Sequence, residues 1–201
     1  KAIAAADGPV LITAGPGTGK TYTLVQRAIY LIEECNVRPE SIFIATFTEK
    51  AAKELVTRIT NELANRNITA NINEMYIGTF HSLCLRMLKE HLEYTRLRRN
   101  YRLMDSFDQQ YMVFQNIHRF RSIPEIEIVL PNGGAWKQAE TICNFVNNLS
   151  EELVSPEELM SDHDPSIASL GRMLQEYRTI LTEANLMDFS SIQIEAYRLF
   201  F

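Results

Sequence analysis

The chain has 201 residues, 46% hydrophobic and 22% charged, and a formal net charge of −5 at pH 7, so it is not a polycation. It contains no run of about 18 apolar residues and no secretory signal, which argues against a membrane span and against export. Its three cysteines, Cys35, Cys84 and Cys143, fit no zinc spacing and predict buried or free thiols in a reducing cytosol.

The first eighty residues alternate between short apolar runs and amphipathic stretches. The apolar runs, each of strand length, are PVLITA, SIFIATF and EMYIGTF. The stretches with helical spacing are GKTYTLVQRAIYLIEE, TEKAAKELVTRITNELANR and HSLCLRMLKEHL. Strand, helix, strand, helix, strand in this order predicts a parallel sheet with crossover helices, and therefore an α/β fold.

The segment AGPGTGKT (residues 14–21) lies between the first predicted strand and the first predicted helix. It has P-loop spacing, with Ala14 in the place of the usual first glycine. Its three glycines allow a tight turn whose amide groups point at phosphate oxygens, and the helix adds its positive end. Lys20 can reach the β- and γ-phosphates, and Thr21 can ligate Mg²⁺. The alternative is a turn that uses glycine only for backbone geometry, but the Lys-Thr pair at this offset favours nucleotide binding.

Polar segments follow the second and third predicted strands, at the edge of a parallel sheet where ligands bind. After the second strand, Phe47 can stack on a base, while Thr48 and Lys50 can contact phosphate. The alternative is a helix-capping threonine and a solvated lysine. After the third strand, the corresponding residues are Thr79, Phe80 and His81. A lone histidine at a strand end is more often structural, so spacing alone leaves both interpretations open.

Charge is unevenly distributed along the chain. Residues 81–102 hold six Arg or Lys residues against two glutamates, whereas residues 150–165 hold six acids and no Lys or Arg. A basic run on an acidic protein can bind nucleic acid, although such a run is more often a solvated helix face.

From about residue 101 the strand pattern fades and helices dominate. A capping box, Ser106 with Gln109, begins the predicted helix SFDQQYMVFQNIHRF. Pro165 begins DPSIASLGRMLQEYRTILTEAN, and Asp188 caps DFSSIQIEAYRLFF. The other predicted helices are WKQAETICNFVNNLSEE and SPEELM. The sequence ends inside its last predicted helix, which suggests a longer protein.

Three blocks of the sequence, AGPGTGKT, TFTEKAAKEL and GTFHSLCLRML, resemble motifs I, Ia and Ib of the UvrD/Rep/PcrA family of superfamily 1 DNA helicases. MDFSSIQIEAYRLF resembles the helix before that family's Walker B strand. The resemblance implies an α/β fold with a P-loop NTPase RecA-like parallel sheet, incomplete here, and a mainly helical inserted subdomain. The implied segments are residues 1–90, the first part of motor subdomain 1A with motifs I, Ia and Ib; residues 91–186, the helical insertion 1B; and residues 187–201, a return helix to 1A that ends before Walker B.

The resemblance also implies ATP and Mg²⁺ as cofactors. Lys20 and Thr21 would be catalytic, with Thr21 as the Mg²⁺ ligand. The nucleotide-binding residues would be Ala14, Gly15, Pro16, Gly17, Thr18, Gly19, Lys20, Thr21 and Tyr22. The DNA-binding residues would be Phe47, Thr48, Lys50, Thr79, Phe80 and His81.

The sequence departs from the family pattern in several places. Tyr22 stands where the family usually has an arginine that stacks on adenine, and its ring can stack there too. The adenine-reading glutamine, the Walker B carboxylates, the sensors, the arginine fingers and the second motor domain are missing. Asp188 is not the Walker B acid, because it caps a helix. We therefore expect these 201 residues alone to be monomeric, to bind ATP weakly and to lack ATPase activity.

The resemblance implies the ATP-binding N-terminal region of a DNA helicase that couples ATP hydrolysis to translocation on single-stranded DNA and duplex unwinding, in repair or replication. Its partners would be single-stranded DNA, duplex junctions and repair-complex proteins, with no membrane. It would be cytoplasmic, and nucleoid-associated if bacterial. One alternative is a P-loop ATPase of a helicase–nuclease or repair complex without its own strand-separation activity. Another is a binding module without catalysis.

Overall fold

A computed structural model describes residues 2–5 and 8–200 of the chain. The chain is an α/β protein of two compact units, Lys1–Leu83 and Cys84–Phe201. The strands of the described part are β1 (Phe43–Thr46), β2 (Tyr76–Thr79), β3 (Arg102–Leu103) and β4 (Leu186–Met187). Its α-helices are α1 (Lys20–Glu33), α2 (Glu49–Asn65), α3 (Phe80–Glu90), α4 (Ser106–Gln115), α5 (Ile117–Arg121), α6 (Ala135–Glu151), α7 (Pro156–Met160), α8 (Pro165–Ala184) and α9 (Phe189–Arg198).

The first unit is built around a parallel strand pair and two helices. β1 and β2 are parallel, with Thr46 opposite Thr79, and α2 is the crossover between them. The apolar residues of α2 recur at helical spacing and are buried, as the sequence predicts. They pack with residues of α1 and β1 in one core, which includes Ile29, Ile44 and Ile59. Burying each such side chain stabilises the fold by about 1.5–3 kcal/mol, so α1 is firmly attached to the sheet.

The strand predicted for PVLITA is wrong. These residues belong to no strand, Leu11 is 93% exposed, and Val10 and Ile12 are exposed as well. A strand needs a neighbour that satisfies its backbone groups. In the described part of unit one, β1 and β2 pair only with each other. The apolar pattern is therefore present without the partner that would turn it into a buried strand.

The described residues of the second unit form two hydrophobic cores. One joins α3 to α9 through residues such as Leu88, Met187 and Ile192. The other, larger core is formed by residues between Met104 and Leu186, from α4, α5, α6 and α8. In the sequence, the strands of the parallel pair β3–β4 lie at the boundary between the residues of the two cores. Arg102 is opposite Leu186 in this pair. These strands could not be predicted from the sequence, because a strand of two residues is too short to show an alternating apolar pattern.

Helix starts follow the predicted capping residues with one exception. Asp188 accepts a hydrogen bond from the Ser191 amide at 2.7 Å, and α8 begins at Pro165, as predicted. The capping box at Ser106 is wrong: Asp105, one residue earlier, caps α4 by accepting from the Asp108 amide at 2.8 Å. The helix predicted to continue from there to Phe120 is divided at Asn116 into α4 and α5.

The state of the cysteines is as the sequence predicts. All three cysteines are free thiols; Cys35 is exposed, and Cys84 and Cys143 are buried. Within residues 2–5 and 8–200, no helix combines the length and apolar character that crossing a membrane requires.

Candidate nucleotide and nucleic-acid site

The glycine loop before α1 folds back on itself. Gly17 and Gly19 have φ angles of 72° and 84°, in the left-handed region where an L side chain is strained, so glycine is needed at both positions. The Thr18 hydroxyl donates to the Gly15 carbonyl at 2.7 Å. The Lys20 ammonium donates to the same carbonyl at 2.9 Å. These bonds close a compact turn directly before the helix.

Within the described residues, the N-terminus of α1 has no side-chain cap and no acidic residue in its first turn. The first amide groups of a helix have no acceptor within it, and Gly19 offers no side chain to cap them. Lys20 is exposed, and its two hydrogen-bond partners are neutral carbonyls, of Ala14 and Gly15. Charge-assisted bonds to an anion are stronger than bonds to carbonyls, so this end of α1 is suited to bind phosphate.

Two further side chains of α1 are accessible beside this loop. Thr21 is exposed, so its hydroxyl is free to approach a metal bound to phosphate, and it is the hard oxygen donor that Mg²⁺ prefers. The Tyr22 ring is 62% exposed and presents a surface for stacking. Pro16 and Thr18 are also exposed, and Ala14 is half-buried. The residues present therefore fit a nucleotide with Mg²⁺.

The carboxyl ends of β1 and β2 form a second accessible region. Because Thr46 lies opposite Thr79, Phe47 and Phe80 follow register-paired residues of neighbouring strands. The Phe47 side chain is 103% exposed and that of Phe80 51% exposed. Phe47 is therefore not a core residue, which excludes the purely structural explanation of this aromatic side chain. His81 is exposed at the same edge.

The threonines at this edge have structural partners. Thr48 caps α2 by accepting from the Ala51 amide at 3.2 Å, which is the structural alternative predicted for it. The Thr79 hydroxyl donates to the Glu49 carboxylate at 3.0 Å. Lys50 is exposed and takes part in none of the ion pairs found in the described part of the chain.

Sequence reasoning missed three residues that organise this edge. Glu49 binds Thr79, and Ser82 donates its amide to the Thr79 hydroxyl at 3.2 Å. A Cβ on Gly78 would lie 2.5 Å from the Ser82 hydroxyl oxygen, so a larger residue here would displace that hydroxyl from its bond to the Thr79 carbonyl. The sequence signal available in advance was the Gly-Thr pair at the end of a predicted strand, which is typical of a tight strand-to-helix turn.

α1 begins after a glycine without a side-chain cap and packs on the same core as the parallel pair β1–β2, so the first unit is an α/β arrangement with a helix N-terminus open to anions. A family model described as the UvrD/REP helicase N-terminal domain matches residues 1–201, and the chain belongs to this family. The resemblance found in the three sequence blocks is thereby confirmed.

Individual relatives agree with the family match. The chain is 33% identical over 200 residues to DNA helicase II of Haemophilus influenzae, covering 98% of the chain and 26% of that protein. It is 32% identical over 205 residues to the ATP-dependent DNA helicase SRS2 of Saccharomyces cerevisiae, covering 94% of the chain and 17% of that protein. Identity to the ATP-dependent DNA helicase PcrA of Bacillus subtilis is 28% over 204 residues, covering 100% of the chain and 25% of that protein. The chain thus spans about a quarter or less of these relatives.

Proposed function

We propose that the chain is the ATP-binding N-terminal region of a DNA helicase, which couples ATP hydrolysis to movement along single-stranded DNA and to duplex unwinding in repair or replication. The observation that carries the proposal is the uncapped N-terminus of α1, where Lys20, among the described residues, donates to the loop carbonyls of Ala14 and Gly15. Family membership and relatives named as ATP-dependent DNA helicases support it. The proposal includes a RecA-like fold for residues 1–90 and 187–201, a helical insertion at residues 91–186, and a cytoplasmic location.

In this proposal the loop holds the triphosphate. The amides at the start of α1 bind phosphate oxygens, and Lys20 exchanges its carbonyl partners for the β- and γ-phosphates. Thr21 holds Mg²⁺, which neutralises charge that develops on the phosphates. Tyr22 stacks on the adenine, for which its exposed ring is available.

DNA binding is proposed for the edge formed by the ends of β1 and β2. Neighbouring strands lie about 4.8 Å apart, so Phe47 and Phe80 form two adjacent stacking surfaces for unpaired bases. Lys50, with no ion-pair partner in the described part of the chain, is available to contact phosphate. Thr48, Thr79 and His81 complete the proposed edge through polar contacts. None of these contacts distinguishes one base from another, which suits a protein that moves along any sequence.

The test is single-stranded DNA affinity of Phe47→Ala, measured by fluorescence anisotropy with an oligothymidylate. We expect a loss of about 1–3 kcal/mol, with little dependence on base sequence. Phe43→Ala is the matched control, because this phenylalanine is 46% exposed at the opposite end of the same strand. Equal affinities of Phe47→Ala and the wild type would overturn the proposed edge. In the full-length protein, ATP-driven separation of a labelled duplex tests the helicase activity itself.

A further inference from the structure

The basic segment at residues 81–102 is not simply a solvated helix face. Arg86 pairs with Glu90 at 2.8 Å, and Arg96 pairs with the buried Glu195 at 2.7 Å. Arg102 is exposed on β3. The other three cations, Lys89, Arg98 and Arg99, line one groove of the second unit.

This groove has an apolar floor and a basic rim. It encloses about 1000 Å³ between the second half of α3 and the chain that leads to β3. The floor residues are Leu85, Leu92, Leu97, Tyr101 and Leu103. The rim residues are Lys89, Glu90, Glu93, Arg98 and Arg99.

The rim has an excess of positive charge. The ion pairs found in the described part of the chain include none with Lys89, Arg98 or Arg99. Glu90 is engaged by Arg86, so Glu93 is the rim carboxylate that remains against three cations. The electrostatic complement of the groove is therefore an anion with several charges.

Aromatic residues are interleaved with these cations. Tyr94 is 77% exposed and follows the rim residue Glu93, with its ring centroid 6.5 Å from that of His91. Tyr101 belongs to the floor of the groove, and its buried hydroxyl finds no hydrogen-bond partner in the described residues. Cations interleaved with aromatic residues along a segment are typical of surfaces that follow a nucleic-acid backbone and stack its bases.

We propose that this groove binds single-stranded nucleic acid, as a site additional to the strand ends of the first unit. Phosphates meet Lys89, Arg98 and Arg99, where guanidinium groups offer paired donors. Unpaired bases bury their faces on the leucine floor and against the Tyr101 ring, which lines the groove. A duplex matches the rim alone, because its base faces are already stacked inside the helix. An acidic protein segment matches the floor and rim but does not use the aromatic ring.

The experiment measures binding of a 20-nucleotide oligothymidylate to the chain between 50 and 200 mM salt. The triple variant Lys89→Ala, Arg98→Ala, Arg99→Ala loses three phosphate contacts. The slope of its plot of log affinity against log salt concentration is therefore expected to be shallower by about 2, because each phosphate contact to a single strand contributes about 0.7. The control variant Arg38→Ala, Arg121→Ala, Lys137→Ala removes three exposed cations outside the groove and is expected to keep the wild-type slope. Circular dichroism checks that both variants fold. If the triple variant does not fold, the single variant Arg99→Gln replaces it, with an expected change in slope of about 0.7.

The same measurement in the Phe47→Ala background separates this site from the proposed function. A slope change that persists there supports the groove even if Phe47→Ala itself has no effect. An unchanged slope in the triple variant overturns the groove, whatever Phe47→Ala does. Two further probes are a 20-base-pair duplex and a polyglutamate peptide. A triple variant that weakens binding of either one while leaving oligothymidylate binding unchanged would also overturn the proposal.

Discussion

The ends of β1 and β2 and the polar network around Asp188 differ in the exposure of their side chains. At the strand ends, Phe47 and Lys50 face solvent. In the second unit, Gln109, Tyr177 and Asp188 are each no more than 5% exposed and bind one another. Tyr177 donates its hydroxyl hydrogen to the Asp188 carboxylate, and Gln109 donates to the Tyr177 oxygen at 2.7 Å.

This difference in exposure separates residues that can bind a ligand from residues that stabilise the fold. An exposed side chain with weak or replaceable partners can exchange them for a ligand, as Lys20 can exchange two carbonyls for phosphate. A buried group such as Asp188 has no replacement for a lost partner, because water cannot reach it. Changes at the first kind of residue should affect ligands and leave stability intact, whereas changes at the second kind should do the reverse.

The largest effect is expected for Lys20→Ala in the full-length protein. Removing the ammonium group leaves the developing charge on the phosphates without its donor, so DNA-stimulated ATPase activity should fall by at least 10²–10³-fold. The melting temperature should not change, because the side chain is exposed. Steady-state ATPase assays beside thermal unfolding check both statements. Residual activity near the wild-type rate, or a collapsed melting curve, would count against the assignment.

Asp188→Ala, in contrast to Lys20→Ala, should lower the stability of the fold. It removes the cap of α9 and leaves the Tyr177 hydroxyl without its acceptor, and together these should lower the free energy of unfolding by about 2–4 kcal/mol. Urea unfolding followed by circular dichroism measures the loss. Ser106→Ala, beside the true cap of α4, is the control and should change stability by less than about 0.5 kcal/mol. A loss equally small for Asp188→Ala would show that the network does not stabilise the unit.

Alkaline pH tests the same buried region through Cys143. Burial, with a contribution from the Asp188 charge, raises the pKa of this thiol from its ordinary 9.0 to about 12. A raised folded-state pKa gives stability that is complete below pH 9 and is lost as the pH rises toward 12. The free energy of unfolding should therefore fall by about 1.4 kcal/mol per pH unit from this group.

Urea titrations at pH 9, 10 and 11 measure that dependence. Cys143→Ala should remove this part of the slope, whereas Cys35→Ala, at an exposed thiol, should retain it. The pKa of Tyr177 is also raised well above its ordinary value, chiefly by burial, so both variants should keep some loss above pH 10. Parallel curves for Cys143→Ala and the wild type would contradict the burial argument.

The smallest effect is expected for Phe47→Ala on stability. A side chain that is 103% exposed buries almost no apolar surface, so its removal should change the free energy of unfolding by less than about 0.5 kcal/mol. A buried phenylalanine would instead lose about 3–5 kcal/mol. Unfolding measured on the sample used for DNA binding gives both numbers. A large loss of stability would mean that Phe47 packs against the protein in solution.

Features encoded within a few residues could be predicted from the sequence. The turn at Gly17 and Gly19, the start of α8 at Pro165 and the cap at Asp188 each depend on local chemistry. The capping box at Ser106 failed because a better cap, Asp105, lies next to it. Local preference was decisive in each of these cases.

Features that need distant partners could not be predicted. PVLITA has the apolar pattern of a strand, but pattern alone supplies no neighbour. The network of Gln109, Tyr177 and Asp188 joins α4, α8 and the start of α9, and nothing in any one segment specifies the others. The groove was equally hidden: the basic run was visible, yet only folding shows which of its cations remain unpaired.

The pairing of β3 with β4 has a topological consequence. The chain leaves β3 at Leu103 and re-enters at Leu186 on the adjacent strand, and the residues between them carry their own core. The excursion is thus a closed loop held at its base, and doubling the length of a flexible loop raises its closure cost by only about 0.6 kcal/mol. The length of the connections within this segment can therefore change at little cost, as long as Gln109 and Tyr177, which bind Asp188 at the start of α9, are kept.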